Sequence, residues 1–305
     1  MVYSARAPEV PMIRSVGRVG PLKVVGLVLW QLKYDLLVML VVAAILVPIP
    51  DNIQMENSVA ALSVLGIAAS IFIGFRNTNA YNRWWEARTL WGAVINDSRA
   101  LHNSLAAVDT GTTAMSAVLD RMRRRQVRYT WTLAAEMRGV APVPGVVELT
   151  DEDPPQATAT DLLNLQAQDV QRLSAEGHID YQARVMLMSV NTALAASQGG
   201  LERIRNEPIP VHYDVFIRVM AWLFAIVAFN RFDANHELAS VALGLLLMLL
   251  FIVAERLGYF IERPMSNRIF DLPMYRFCAT ISANLLGRNH PLATPRESDK
   301  AIIWN

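Results

Sequence analysis

A chain of 305 residues with 53% apolar and 18% charged side chains, at a mean hydropathy of +0.27, is too apolar for an ordinary soluble domain and too polar for a bundle lying wholly inside a membrane. Its 28 Lys and Arg balance 27 Asp and Glu, which excludes the basic field of a nucleic-acid binder and the acidic excess of a solvating tail. Cys278, the single cysteine, excludes an internal disulfide and a cysteine-based zinc site and leaves the compartment open.

Residues 1–23 carry Arg6, Arg14, Arg18 and Lys23 against Glu9 alone and show no small-residue cleavage site, so they read as a retained cytosolic arm. The first apolar stretch, Val24 to Val47, is interrupted by Lys33 and Asp35 and stops at Pro48-Ile-Pro50. Two positions apart on a helix, those charges do not face each other. Either they point into an assembly, or Val24 to Leu32 lies along a membrane interface and the span begins near Lys33.

From Ser58 to Phe75 there is no charge, a length at the lower limit of the roughly 17 to 25 residues that cross a membrane as a helix. Two stripes run along it at a spacing of four, which places residues one above the other. Gly66, Ser70 and Gly74 form a small-residue stripe, of the kind that lets a neighbouring helix approach closely. Ser63, Ile67, Ile71 and Phe75 form a bulky one, which faces either lipid and core or a shared axis, where stacked apolar rings gate by dewetting. The loop from Asp51 to Asn57 has Asp51 and Glu56 and no Lys or Arg, while Arg76, Arg83 and Arg88 follow the span; the loop is therefore placed outside and the flanks inside.

The helical pattern continues through Ala107 and breaks at Asp109-Thr-Gly-Thr-Thr113. A further helix is predicted through the basic run Arg121-Met-Arg-Arg-Arg125, read as a solvated face, to about Arg138. Gly139 to Thr160, rich in Pro and Asp, reads as a surface loop or linker. Helices follow over Asp161 to Leu173 and Tyr181 to Arg205, the second with apolar residues on more than one face and so expected between neighbours. Val211 to Phe229 and Leu238 to Ala254 read as the third and fourth spans, an antiparallel hairpin closed by the short turn Asn230 to Glu237. The rest is polar, partly helical, and ends in a mobile tail beyond His290-Pro291. The division that results is an arm at 1–23, two spans within 24–75, a cytosolic helical region at 76–210, two spans within 211–254 and a cytosolic segment at 255–305.

His102, His178, His212, His236 and His290 lack metal-ligand spacing, and there is no phosphate-binding Gly loop, nucleophile elbow or carboxylate pair with a shared site. His212 with Asp214 near a membrane boundary is a candidate proton or ion site, or a structural pair. No enzyme activity, cofactor, metal or nucleic-acid partner is expected.

The run Gly74-Phe75-Arg76-Asn77, Tyr81, Arg83-Trp84-Trp85-Glu86-Ala87-Arg88 and Leu90-Trp91-Gly92 resembles the signature of the bestrophins, and of their prokaryotic branch in particular. Weaker similarity covers Glu207-Pro-Ile-Pro210, Ile261-Glu262-Arg263-Pro264 and Asp271-Leu272-Pro273. The resemblance implies an all-α polytopic membrane protein with four transmembrane helices and a helical cytosolic region, forming a homopentamer around one axial pore in the bacterial inner membrane. Both termini would be cytoplasmic, and the partners would be membrane lipid and small monovalent ions. It implies a neck at Ile67, Ile71 and Phe75, and a second aperture before the third span at Ala183, Val185 or Met186, of which Val185 is chosen. Animal members carry an acidic calcium clasp after the fourth span, where this chain has Ser266-Asn-Arg-Ile-Phe270 with only Asp271 near, so no clasp is expected. Animal members pass chloride and the prokaryotic branch includes cation channels; the branch signature and the acidic outer loop favour cations, and Arg76 would oppose them if it faced the axis. Anion conduction by the same architecture, a membrane-anchored scaffold without ion flux and, more weakly, a carrier are the alternatives.

Overall fold

A computed structural model of the chain describes residues 12–13, 21–48, 59–207, 209–232, 238–266, 270–294 and 303–304. The predicted outer loop with Asp51 and Glu56, most of the turn at 230–237, residues 267–269 of the region compared with the calcium clasp and most of the tail lie outside them. The chain divides into two compact units. An apolar unit comprises Ser15–Trp84 and Pro208–Arg263, and a polar unit comprises Met1–Arg14, Trp85–Glu207 and Pro264–Asn305.

The apolar unit opens with helix α1 (Pro21–Gln31) and helix α2 (Lys33–Leu46), bent by 71° against each other. Leu32 makes the elbow, with φ −88° and ψ 3° and a fully buried side chain. The break places Lys33 and Asp35 in the first turn of α2, where Lys33 is exposed and Asp35 turns inward to Arg256, so the two charges divide between the two readings. Helix α3 (Val59–Val108) follows, 50 residues without interruption, about 75 Å at 1.5 Å per residue. The expected second span is thus the opening of a much longer helix that runs on through Arg76. Helices α7 (Val211–Phe232) and α8 (Leu238–Ile261) close the unit. Their antiparallel pairing is set by Phe224 on Phe251, ring centroids 4.4 Å apart, and by Gly244, where a Cβ would come within 2.9 Å of the Phe229 ring. Met39 and Ala43 of α2 join Ala225, Phe229, Met248 and Ile252 in one apolar core, and Ile73 of α3 meets Ile217 and Ala221. Among the described residues α7 and α8 are long and apolar enough to cross a membrane, and α1 with α2 makes a third span if the bent pair counts as one.

Helix α8 runs past the expected end of the fourth span at Ala254. Glu255 and Arg256 continue it because they are paired with Arg76 and Asp35 instead of being solvated.

In the polar unit, helices α4 (Thr113–Arg138), α5 (Ala159–Ala175), α6 (Tyr181–Asn206) and α9 (Met274–Leu286) pack with the rest of α3. The starts follow local rules: Thr112, Thr158 and Asp180 accept from backbone N–H groups as N-caps, Thr158 with Asp161 as a capping box. Gly139, at φ +66°, ends α4 in the left-handed conformation that suits glycine. Strands β1 (Met12–Ile13) and β2 (Ile303–Trp304) pair antiparallel, Met12 opposite Trp304.

Three expectations are sharpened in this unit. The basic run on α4 is solvated only in part: Arg121, Arg123 and Arg124 are half-buried, while Arg125 opens a stretch to Ala135 in which every residue is buried. Several polar groups of the buried stretch find partners: Arg125 grips Asp153 at 2.6 Å and Asp169 at 2.5 Å, Arg128 donates to the Thr150 carbonyl at 3.0 Å, and Trp131 donates to Ser282 Oγ at 3.0 Å. The segment Gly139 to Thr160 is the expected surface loop over most of its length, but Val143, Val146, Leu149 and Asp153 are buried and pin it down. Helix α6 buries only the side carrying Leu187, Leu194, Leu201 and Ile204; Tyr181, Val185 and Met186 remain exposed.

Candidate functional site

Within the apolar unit α3 has two unlike sides. Ala69, Ile73, Arg76 and Ala80 recur at three and four residues and are buried. Ile67, Ile71 and Phe75 lie along a different side and are 62%, 50% and 61% exposed. Large apolar side chains in a row at i, i+4 and i+8, uncovered by their own chain, leave a continuous greasy stripe.

Arg76 fixes which side is which. The guanidinium is fully buried, with Nη1 donating to Glu255 Oε1 at 2.5 Å and to the Glu255 carbonyl at 3.1 Å. Its Nη2 pairs with Asp214 and reaches Glu262 Oε2 at 3.4 Å. Three carboxylates from α7, α8 and the residue after α8 thus converge on one cation of α3. Around them Arg218 lies 3.7 Å from Glu255, and Arg256 holds Asp35 of α2 at 2.5 and 2.8 Å. At about 100° of rotation per residue, Phe75, Ile71 and Ile67 sit roughly 100° to 180° around the helix from Arg76. Anchoring Arg76 against α7 and α8 therefore turns the stripe away from them.

The neighbouring signature residues complete the anchor. Asn77 Nδ2 donates to the Ala254 carbonyl at 2.9 Å, and Gly258 leaves the space in which its own Cβ would meet the Asn77 side chain. Arg83 Nε donates to the Glu262 carbonyl at 3.2 Å. Tyr81 stacks on Trp84 with centroids 6.3 Å apart. Of the small-residue stripe, Gly66 lies under the Phe224 ring, 2.8 Å from where a Cβ would stand, while Gly74 has nothing within 4 Å and Ser70 is exposed.

The remaining signature residues belong to the polar unit. Glu86 pairs with Arg203, Arg88 lies over the Phe277 ring at 4.8 Å with Gly92 beside it, Trp91 is buried against Phe277 at 6.1 Å, and Trp85 is exposed. Val185 stands exposed on α6.

Sequence reasoning did not find the carboxylates that hold Arg76. His212 is exposed, and its companion Asp214 is one of these three. Arg76 is turned into this cluster, so its opposition to cations at an axis falls away. Among the described residues no group of three or more His, Cys, Asp or Glu side chains is arranged to hold a metal ion.

A long helix with an anchored side and a bare side, beside a broken helix and a hairpin of apolar helices, is the plan of a known family. The model of the bacterial/fungal bestrophin proteins matches residues 13–287, and the chain belongs to that family. YneE of Escherichia coli, named a voltage-dependent anion channel-forming protein, is 27% identical over 259 residues, 82% of this chain and 83% of that one. A protein of the same description from Synechocystis is 27% identical over 248 residues, 77% of each chain. The crystal structure of a bacterial bestrophin homologue from Klebsiella pneumoniae superposes with a TM-score of 0.77 at 25% identity, over 85% of this chain and 100% of that one.

Proposed function

We propose that this chain is a subunit of an ion channel, in which five copies place the bare side of α3 around one axis and Ile67, Ile71 and Phe75 stack as the apolar neck. The observation that carries the reading is that stripe, left uncovered while Arg76 locks the other side of the same helix. A scaffold has no need of three exposed large apolar residues in register on an otherwise anchored helix. Four spans, α2, the start of α3, α7 and α8, cross the inner membrane with both termini in the cytoplasm. Val185 on α6 narrows the cytosolic exit.

The conducted ions are small and monovalent, and anions are preferred. The cation preference that the prokaryotic signature suggested gives way here, because YneE and the Synechocystis relative are both named for anion channel formation. The neck itself carries no charge, and Arg76, surrounded by carboxylates, lends it none.

Purified protein in planar bilayers under a KCl gradient tests both parts. A reversal potential near the chloride equilibrium value is expected. A value near that of potassium would return the cation reading, and silence from a verified oligomer would favour the scaffold.

A further inference from the structure

We infer that the elbow between α1 and α2 is a binding site for the phosphate of an anionic membrane lipid, built from Lys33 with Trp30 and Tyr34. The inference rests on the reading of the apolar unit as membrane-embedded. Lys33 Nζ stands 4.4 Å from the centroid of the Trp30 ring and 5.0 Å from that of Tyr34. Both rings are open to the surroundings, 65% and 72% exposed, and Lys33 is exposed between them. Asp35, the acidic residue nearest in sequence, is taken by Arg256 on α8. Among the described residues no carboxylate pairs with Lys33, so a cation is left uncompensated at the elbow.

The shape of the elbow gives this cation its depth. The 71° bend at the buried Leu32 turns α1 away from the line of α2, and α1 exposes Leu22, Val25 and Leu29. A short helix with bare apolar side chains, turned sharply from the span that follows, lies in the plane of the headgroups. Trp and Tyr favour that plane, having an apolar body and a polar tip. A lysine held over their faces there meets lipid phosphates, and an anionic headgroup supplies the charge that Lys33 lacks. A zwitterionic headgroup carries its own cation and supplies none in net.

Native mass spectrometry of the full chain, delipidated in detergent and titrated with phosphatidylglycerol or phosphatidylcholine, tests the site. Phosphatidylglycerol is expected to bind more tightly than phosphatidylcholine. Lys33→Gln should weaken phosphatidylglycerol about fivefold, the factor that corresponds to one basic residue at an anionic surface, and leave phosphatidylcholine unchanged. Equal phosphatidylglycerol binding by wild type and Lys33→Gln would overturn the inference, as would displacement of the lipid by inorganic phosphate, which would make this a free-anion site. If Lys33→Gln does not fold, Lys33→Arg should keep the affinity and Trp30→Leu/Tyr34→Leu should lower it; the reverse order would also overturn the site. Loss of ion conduction with lipid binding intact would count against the channel reading and not against this one.

Discussion

Each unit of this protein is built around a buried arginine, and the two differ in what the arginine holds. Arg125 in the polar unit reaches Asp153 and Asp169, 28 and 44 residues away, and ties a loop and α5 to its own helix. Arg76 in the apolar unit reaches Asp214, Glu255 and Glu262, between 138 and 186 residues away, and holds α3 against α7 and α8. The first cluster closes a fold locally. The second sets the rotation of a helix whose other side carries the stripe assigned to the neck. Removing one partner of a buried ion pair is costly because the other is left charged and without water.

The largest effect should follow from Arg76→Met, which removes the one cation joining three carboxylates and leaves Asp214 and Glu255 only the longer contacts to Arg218 and Arg256, at 3.6 to 3.8 Å; it is expected to cost about 5 kcal/mol, the upper end for a broken buried pair. Thermal melting of the purified protein should show it, together with loss of the oligomer on size-exclusion chromatography. Arg125→Met should cost less, about 3 kcal/mol, because Arg121 still pairs with Asp169 at 2.7 Å and Arg128 still lies near Asp153. It should lower the melting temperature and leave ion selectivity untouched. Equal effects of the two substitutions on conduction would erase the distinction drawn between the clusters.

Local patterns in the sequence carried most of the helices. The predicted continuation to Ala107 and the helix to Arg138 end within a residue of α3 and α4, and the helix expected from Tyr181 starts where α6 does, whereas the one expected from Asp161 begins two residues earlier, at Ala159 behind its Thr158 cap. The signature between Gly74 and Gly92 carried the family. Long-range pairing was not legible: Glu255 and Arg256 looked like the wet end of a span, and Arg121 to Arg125 looked like a solvated face. A charge is judged wet or buried by its partner, and these partners are distant in sequence. The bare and anchored sides of α3 were legible only in half, because Ile67, Ile71 and Phe75 have a visible spacing while the anchoring role of Arg76 depends on three other elements.

The glycines sharpen the comparison at a smaller scale. Gly66→Leu must displace the Phe224 ring within the same chain, an overpacking cost of about 1 to 3 kcal/mol. Gly74→Leu meets open space in its own chain. If a second copy approaches α3 there, Gly74→Leu should dissociate the oligomer with little change in the fold of the monomer, as circular dichroism and mass measurement in detergent would report. An intact oligomer would move the subunit contact elsewhere.

The smallest effect is one of pH in the polar unit. Burial pushes the Asp153 carboxyl up, but hydrogen bonds and charge from Arg125, with Thr150 and Arg128, outweigh it and hold the group below its ordinary 3.8. A depressed carboxylate stabilises the folded state fully above 3.8 and loses that contribution as pH falls through the folded value. Acid unfolding of Asp153→Asn should accordingly be less steep than that of the wild type in this range. Parallel curves would remove the Arg125 pair from the account of acid stability.

The assignment of the neck is tested most directly by ion flux from liposomes containing the triple variant Ile67→Ala, Ile71→Ala, Phe75→Ala, with subunit number measured on the same preparation. A stripe that lines the axis becomes wider and wetter on truncation, so flux should rise while the pentamer survives. An assembly that fails, as for truncation of buried packing at about 2 to 5 kcal/mol per residue, or a pentamer with unchanged flux, would contradict it.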